Sequence, residues 1–168
     1  VTCGGLEHKM GIHASPTCII NLEDAKGYLV GERNKGMRTM FVMMNAARLN
    51  VGIEGLALAD AAYQSALAFA RDRRQSRSLN ADRNDHDAEA DNILVHPDVR
   101  RMLLDVKSTN EALRGLMTWI SVNYDIMHHG ADEAARQKAG DLVALLTPII
   151  KSYGSERGFE NVSEALQV

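Results

Sequence analysis

Residues 45–74 read NAARLNVGIEGLALADAAYQSALAFARDRR, and this run decides the fold class. Leu49, Ile53, Leu56, Tyr63 and Leu67 recur at offsets of four, three, seven and four, so a helix places them on one face. Alanines 57, 59, 61, 62, 66, 68 and 70 fill the space between them, and side chains that small let neighbouring helices approach closely. The run from Asn45 to Arg74 holds no proline. At 1.5 Å per residue it spans roughly 40 Å, which is long for a globular helix. Gly52 and Gly55 weigh against one unbroken rod.

Downstream, the same periodicity returns twice. Pro97 opens a second helix, where its missing N–H costs nothing, and Asp98 suits the positive end of the dipole. Its stripe is Val99, Met102, Leu103, Val106, Leu113, Leu116, Met117, Ile120, Tyr124 and Met127, and His128-His129-Gly130 closes it. Trp119 sits beside this stripe and reads as packing. A third helical region covers Asp132 to Val168, with a stripe of Leu142, Leu145, Leu146, Ile149, Ile150, Tyr153, Phe159, Val162 and Leu166. Pro148, Gly154 and Gly158 interrupt it, so a kinked helix and two shorter helices are equally readable. Between the first and second helices, residues 76–92 carry Asp82, Asp85, Asp87, Glu89 and Asp91 and read as a solvated loop.

Upstream, the pattern is different. Glycines 4, 5, 11, 27 and 31 and Pro16 punctuate short apolar pieces, of which Thr17–Leu22 and Tyr28–Val30 read as strands. Strand and turn of that length do not make a stable sheet alone. The expected architecture is therefore mainly α. An up-and-down helical bundle over 36–168 is preceded, over 1–35, by the last strands of a β domain. The bundle has three long antiparallel helices, or four if a short one from Gly36 to Met44 is counted separately. The first residue is Val1 and the last residues still read as helix, so the expectation is an internal piece of a longer protein.

Composition narrows the function. Apolar residues make up 45 % and charged residues 24 % of the 168, which excludes wholesale disorder. A net charge of −3 gives no basic face for nucleic acid. Cys3 and Cys18 are too few for a disulfide scaffold or a four-ligand zinc site, and a reducing, cytoplasmic setting is expected. No apolar run is long enough to cross a bilayer. The six histidines form no ligand set: His128 and His129 point to different sides of a helix end and read as dipole caps, so no metal is assigned. Neither a Rossmann nor a Walker glycine motif is present. Arg71-Asp72-Arg73-Arg74-Gln75-Ser76-Arg77 carries four arginines at a helix end. It reads either as a solvated, dipole-complementing end or as a clamp on phosphate, since the guanidinium fork binds pyrophosphate through paired hydrogen bonds.

Five ordered strings then point one way. Lys9–Thr17 (KMGIHASPT) resembles the segment that leaves the β domain of acyl-CoA dehydrogenases. Gly31–Met37 (GERNKGM) is similar to that family's turn into its C-terminal helices. Met44-Asn45-Ala46-Ala47-Arg48 followed by Val51-Gly52 is similar to its substrate-side helix start. Ala70–Gln75 (ARDRRQ) resembles its A-x-E-R-x-Q motif, and Glu164–Val168 (EALQV) its A-x-Q-V segment. His96–Leu103 and Tyr153–Glu156 resemble the larger branch that includes the methylmercaptopropionyl-CoA dehydrogenases.

The resemblance implies a flavoenzyme that takes an α-proton and a β-hydride from an acyl-CoA thioester and leaves a trans-2-enoyl-CoA. It implies FAD as cofactor, an electron-transfer flavoprotein as acceptor and a homo-oligomer, dimer or tetramer. Position by position, it implies that Asn45, Ala46, Ala47 and Arg48 contact the substrate. It implies that Arg73, Arg74 and Gln75 hold the FAD pyrophosphate across a subunit interface, with Gln167 on the adenosine side. A structural ion pair is the alternative role for Arg48, and a solvated helix end for Gln167. Ser76-Arg77 stands where the family has Phe-Gly, so the aromatic packing expected there is missing. The family's usual catalytic glutamate is expected after Val168, and no catalytic residue is assigned; Glu156, Glu160 and Glu164 offer no reason to choose among them. Two other readings share these residues: an acyl-CoA oxidase, in which O₂ takes the electrons, and a non-catalytic helical interaction module whose arginines bind a partner's carboxylates.

Overall fold

The computed structural model describes all 168 residues, which divide into two compact units, Val1–Met40 and Phe41–Val168. In the first unit, β1 (Thr2–Leu6) pairs antiparallel with β2 (Cys18–Asn21). The register sets Cys3 opposite Ile20 and Gly5 opposite Ile19, so Gly4 is the extra residue of a bulge. A side chain on Gly4 would collide with Asn21, since an added Cβ would stand 2.8 Å from Nδ2. Two expectations fail here. Gly4-Gly5 lies inside a strand, because the bulge accommodates what reads as a turn. Tyr28–Val30 forms no strand, because no third strand is present for it to pair with.

Three long helices follow: α1 (Gly36–Asp72), α2 (Pro97–His129) and α3 (Glu133–Ala165). The stretch 36–44 is the start of α1 rather than a separate helix. From Phe41 onward they pack as an up-down-up bundle. Asp60 of α1 pairs with Arg114 of α2 at 3.2 Å, Asn161 of α3 bonds Asn110 of α2 at 3.0 Å, and Arg101 of α2 reaches Glu164 of α3 at 2.9 Å. Leu56, Leu113, Met117, Ile120, Val143 and Ile150 form the main core, and Ala66, Ala70, Ile93 and Leu103 a second one towards the far end of α1.

Gly52 and Gly55 do not break α1; they are where α3 touches it. An added Cβ on Gly158 would lie 2.7 Å from the Gly55 carbonyl oxygen, and one on Gly154 would lie 3.0 Å from that of Gly52. The two backbones meet directly, so the local cost of glycine in a helix is offset by contact that any side chain would prevent. α3 is likewise a single helix through Pro148. Asp132 caps its start, accepting from Ala135 N at 2.8 Å. The cost of Pro148 falls on the Ala144 carbonyl, which loses its helical donor.

The packed face of α3 keeps Ile150 and Leu146 of the expected stripe but otherwise turns small and polar residues inward. Ala139, Val143, Thr147, Ile150, Gly154, Gly158 and Asn161 are buried, while Leu145, Ile149, Tyr153, Phe159 and Leu166 are exposed. Trp119 is likewise half exposed rather than packed inside. α2 ends as expected at His129, but Gly130 is there for room rather than for a left-handed turn. Its φ is −60°, and a Cβ would stand 2.6 Å from the Ile126 oxygen.

Candidate functional site

Two concave surfaces lie at opposite ends of the bundle, and residues singled out in the sequence fall on each. The first is a cavity of about 350 Å³ lined by the early turns of α1, the end of α2 and the middle of α3. Asn45, Ala46 and Arg48 line it together with Tyr124, Met127, His128, Ala144 and Pro148. Ala47 does not, because it falls on the other side of the helix and is exposed.

Arg48 donates weakly to Asn45 Oδ1 at 3.4 Å, and its guanidinium lies 5.7 Å from the centre of the Phe41 ring. No carboxylate of this chain lies within ion-pair distance of it. The wall is otherwise apolar apart from His128, which packs against Tyr124 with ring centres 4.6 Å apart, and Thr147, whose hydroxyl donates to Val143 O. A cationic donor at the edge of an apolar cleft suits a ligand with an apolar body and a polar, anionic or carbonyl-bearing part. Tyr124, His128 and Pro148 were not legible as lining residues. Their positions read as packing, capping and kink, and only the bundle brings them to Arg48.

The second surface is a groove of about 890 Å³ where α1 ends and α2 begins. Arg73, Gln75 and Gln167, distant in sequence, line it with Phe69, Ile93, His96 and Val99. Arg73 uses one donor inside the chain, Nη2 to Gln75 Oε1 at 3.2 Å. A guanidinium carries five, so the rest are available to a ligand. Gln167 lies on the same groove as Arg73.

The other arginines of the cluster are engaged elsewhere. Arg74 donates to Asp85 Oδ2 at 2.7 Å and to Ala90 O at 3.1 Å, and it does not line the groove. The family resemblance sets it beside Arg73 and Gln75, but here it is engaged with the loop. The loop turns its side chain away. Arg77 lines the groove but donates to the carbonyls of Asp85 and Ala88 and to Asp91 Oδ1.

The 76–92 segment is exposed over most of its length, as expected, but one of its acids anchors it from inside. Asp91 is fully buried, accepting from Ser78 N at 2.7 Å and Asp85 N at 2.6 Å. Those two amides, with Arg77, hold its carboxyl below the usual carboxylate range. The Arg74 guanidinium does the same to Asp85. No cluster of histidine, cysteine and carboxylate side chains is arranged to hold a metal ion.

Known proteins resemble the chain along its whole length. The 3-methylmercaptopropionyl-CoA dehydrogenase of Ruegeria pomeroyi is 44% identical over 166 residues, which is 99% of this chain and 27% of that protein. A butyryl-CoA dehydrogenase of Syntrophomonas wolfei subsp. wolfei is 37% identical over 176 aligned positions, covering 100% of this chain and 28% of the relative. The broad-specificity linear acyl-CoA dehydrogenase FadE5 of Mycobacterium tuberculosis is 35% identical over 170 positions, covering 96% of this chain and 27% of the relative. No protein-family model matches. The chain thus spans just over a quarter of the length of these relatives. From one end to the other it corresponds to a single stretch of those enzymes, and it belongs to the acyl-CoA dehydrogenase family.

Proposed function

We propose that this chain is the helical part of an FAD-dependent acyl-CoA dehydrogenase that converts an acyl-CoA thioester to a trans-2-enoyl-CoA. On this reading 1–35 is the end of the middle β domain and 36–168 belongs to the C-terminal bundle. The observation that supports it most is the meeting of Arg73, Gln75 and Gln167 on one groove, in a chain 44% identical to a named acyl-CoA dehydrogenase.

The groove residues fit a dinucleotide. Arg73 offers unpaired guanidinium donors for a diphosphate, Gln75 and Gln167 offer amide groups for its polar flanks, and Phe69, Ile93 and Val99 offer apolar wall. Bound flavin supplies the acceptor for the β-hydride. The chain's own part is to bind and orient. Asn45, Ala46 and Arg48 hold the substrate at the other end of the bundle, about 40 Å along α1 from Arg73 at 1.5 Å per residue. One copy of the bundle is thus too long for one small ligand to bridge both surfaces. This supports a homo-oligomer in which each copy's groove serves a neighbour's cofactor. Electron-transfer flavoprotein is the proposed acceptor and the cytoplasm the proposed compartment. No helix is long and apolar enough to cross a membrane.

The test is direct. The full-length protein should purify yellow and reduce an electron-accepting dye when given an acyl-CoA. A colourless, FAD-free preparation that turns over no acyl-CoA overturns the reading, and hydrogen peroxide released in step with enoyl-CoA makes it an oxidase instead.

A further inference from the structure

Arg73 is still held by α1, since its N donates to Phe69 O at 2.8 Å, but the wall beyond it, with Gln75, is held by the segment opposite. α1 ends at Asp72, and Arg73–Ser76 then run beside residues 91–96. Ile93 N donates to Arg73 O at 3.0 Å, Gln75 N to Asp91 O at 2.9 Å, and Asp91 N to Ser76 O at 2.9 Å. His96 Nε2 donates to Gln75 O at 2.8 Å. Ser76 sits at φ 60°, a left-handed conformation that a serine keeps only where its surroundings impose it. The wall is therefore only as well placed as the segment opposite it.

That segment is fixed by Asp91, the one acidic side chain buried in the chain. Its carboxylate gathers three donors, Ser78 N, Asp85 N and Arg77 Nη1, so it ties the loop from 77 to 85 back onto the strand that holds Gln75 and Ser76. A neutral amide of the same shape cannot replace it: its single oxygen would have to serve all three, and its NH₂ would face a donor. Asp91 itself does not line the groove.

We infer that Asp91 is a positioning residue for the groove: by clamping loop 77–85 and pairing with Gln75 and Ser76, it presents Arg73 and Gln75 to a nucleoside diphosphate. The inference rests on the nucleotide reading of the groove proposed above. Loss of the clamp leaves Arg73 in place chemically but lets the wall beyond it, with Gln75, wander, so the ligand must order it on binding.

The experiment measures ADP binding to full-length protein freed of cofactor, by calorimetry, beside the ligand-free melting temperature. Arg73→Gln should weaken ADP binding by about tenfold or more and leave melting unchanged. Asp91→Asn should also weaken it by about tenfold although every groove-lining side chain is retained, and the Gln75 and Ser78 amides should exchange faster. Should Asp91→Asn not fold, Ser78→Pro, which removes one of the three donors and no groove-lining side chain, decides instead, with an expected loss of severalfold. Folded Asp91→Asn or Ser78→Pro protein that melts lower but binds ADP with unchanged affinity makes the clamp merely structural and overturns the inference, while the groove reading stands. Unchanged affinity in Arg73→Gln removes the groove reading, and the inference with it.

Discussion

Gly55 and Gly158 meet backbone to backbone: a Cβ on Gly158 would stand 2.7 Å from the Gly55 carbonyl oxygen and 2.9 Å from its Cα. Neither contact is with a flexible side-chain end, so an added methyl can be accommodated only by moving a helix. Gly158→Ala should therefore cost about 2 kcal/mol or more by overpacking. Helix propensity pulls the other way, because alanine is favoured over glycine by about 1 kcal/mol in a helix interior. Gly115 of α2 is the control, with open space where its Cβ would be. Gly115→Ala should gain roughly 0.5–1 kcal/mol. Urea denaturation of both variants checks the opposite signs, and a stabilised Gly158→Ala would sink the contact.

Asn110 and Asn161 join α2 to α3 inside the bundle. Asn161 Nδ2 donates to Asn110 Oδ1, and Asn110 Nδ2 has no partner. Replacing Asn161 by leucine removes that donor and leaves all of the Asn110 amide unsatisfied, a cost of about 1–3 kcal/mol. The double replacement Asn110→Leu/Asn161→Leu should recover most of that loss, because two buried apolar groups need no partners. A double-mutant cycle measures the recovery. Simple additivity of the two losses would contradict it.

The 76–92 loop should open in acid. Asp91 and Asp85 both have their carboxyls lowered from 3.8 in the folded chain. A depressed carboxyl contributes stability that is complete above its unfolded value and is lost as pH falls through the folded one. The loop should therefore resist proteolysis unchanged from neutrality down to about pH 4 and give way only below it. Asp91→Asn should be cut readily at pH 7, where the wild type is not. Limited digestion, with a neutral protease near pH 7 and an acid-active one below about pH 5, mapped by mass spectrometry, reads this.

These results mark how far the sequence reaches. The ends of α2 were legible because Pro97, Asp98 and His128-His129-Gly130 act locally, through the dipole and the missing N–H. The face of α3 was not. Leu145, Ile149, Tyr153 and Phe159 keep helical spacing as well as Val143, Ile150, Gly154 and Gly158 do, and period alone cannot say which face turns inward. Close approach of α1 chose the small one. The same is true of glycine in α1, whose cost is local while its return comes from a helix a hundred residues away. At one end of the bundle, Arg73, Gln75 and Gln167, which the family resemblance groups together, lie on one groove. Asp91 was not legible, because one acid among five in a polar loop carries no mark of being the buried one. The engagement of Arg74 with the loop was not legible for a related reason, since its partner Asp85 lies eleven residues on.

Arg48 gives the sharpest functional prediction at the cavity end. It is part-buried, lines the cavity with Asn45 and Ala46, and has only a 3.4 Å hydrogen bond to Asn45 and the Phe41 ring as company. An arginine kept for structure would be expected to pair with a carboxylate, as Arg101 does with Asp98 and Glu164. Arg48→Gln should therefore leave stability within about 0.5 kcal/mol of wild type. In full-length enzyme it should reduce kcat/KM for acyl-CoA by roughly tenfold to a hundredfold, the worth of a charge-assisted hydrogen bond. Arg48→Lys keeps the charge but not the fork, and should fall between the two. Flavin content should not change in either variant, because the groove that carries Arg73 lies at the far end of the bundle. If Arg48→Gln instead loses flavin along with turnover, the two surfaces are not separate sites and the assignment of the cavity to substrate fails.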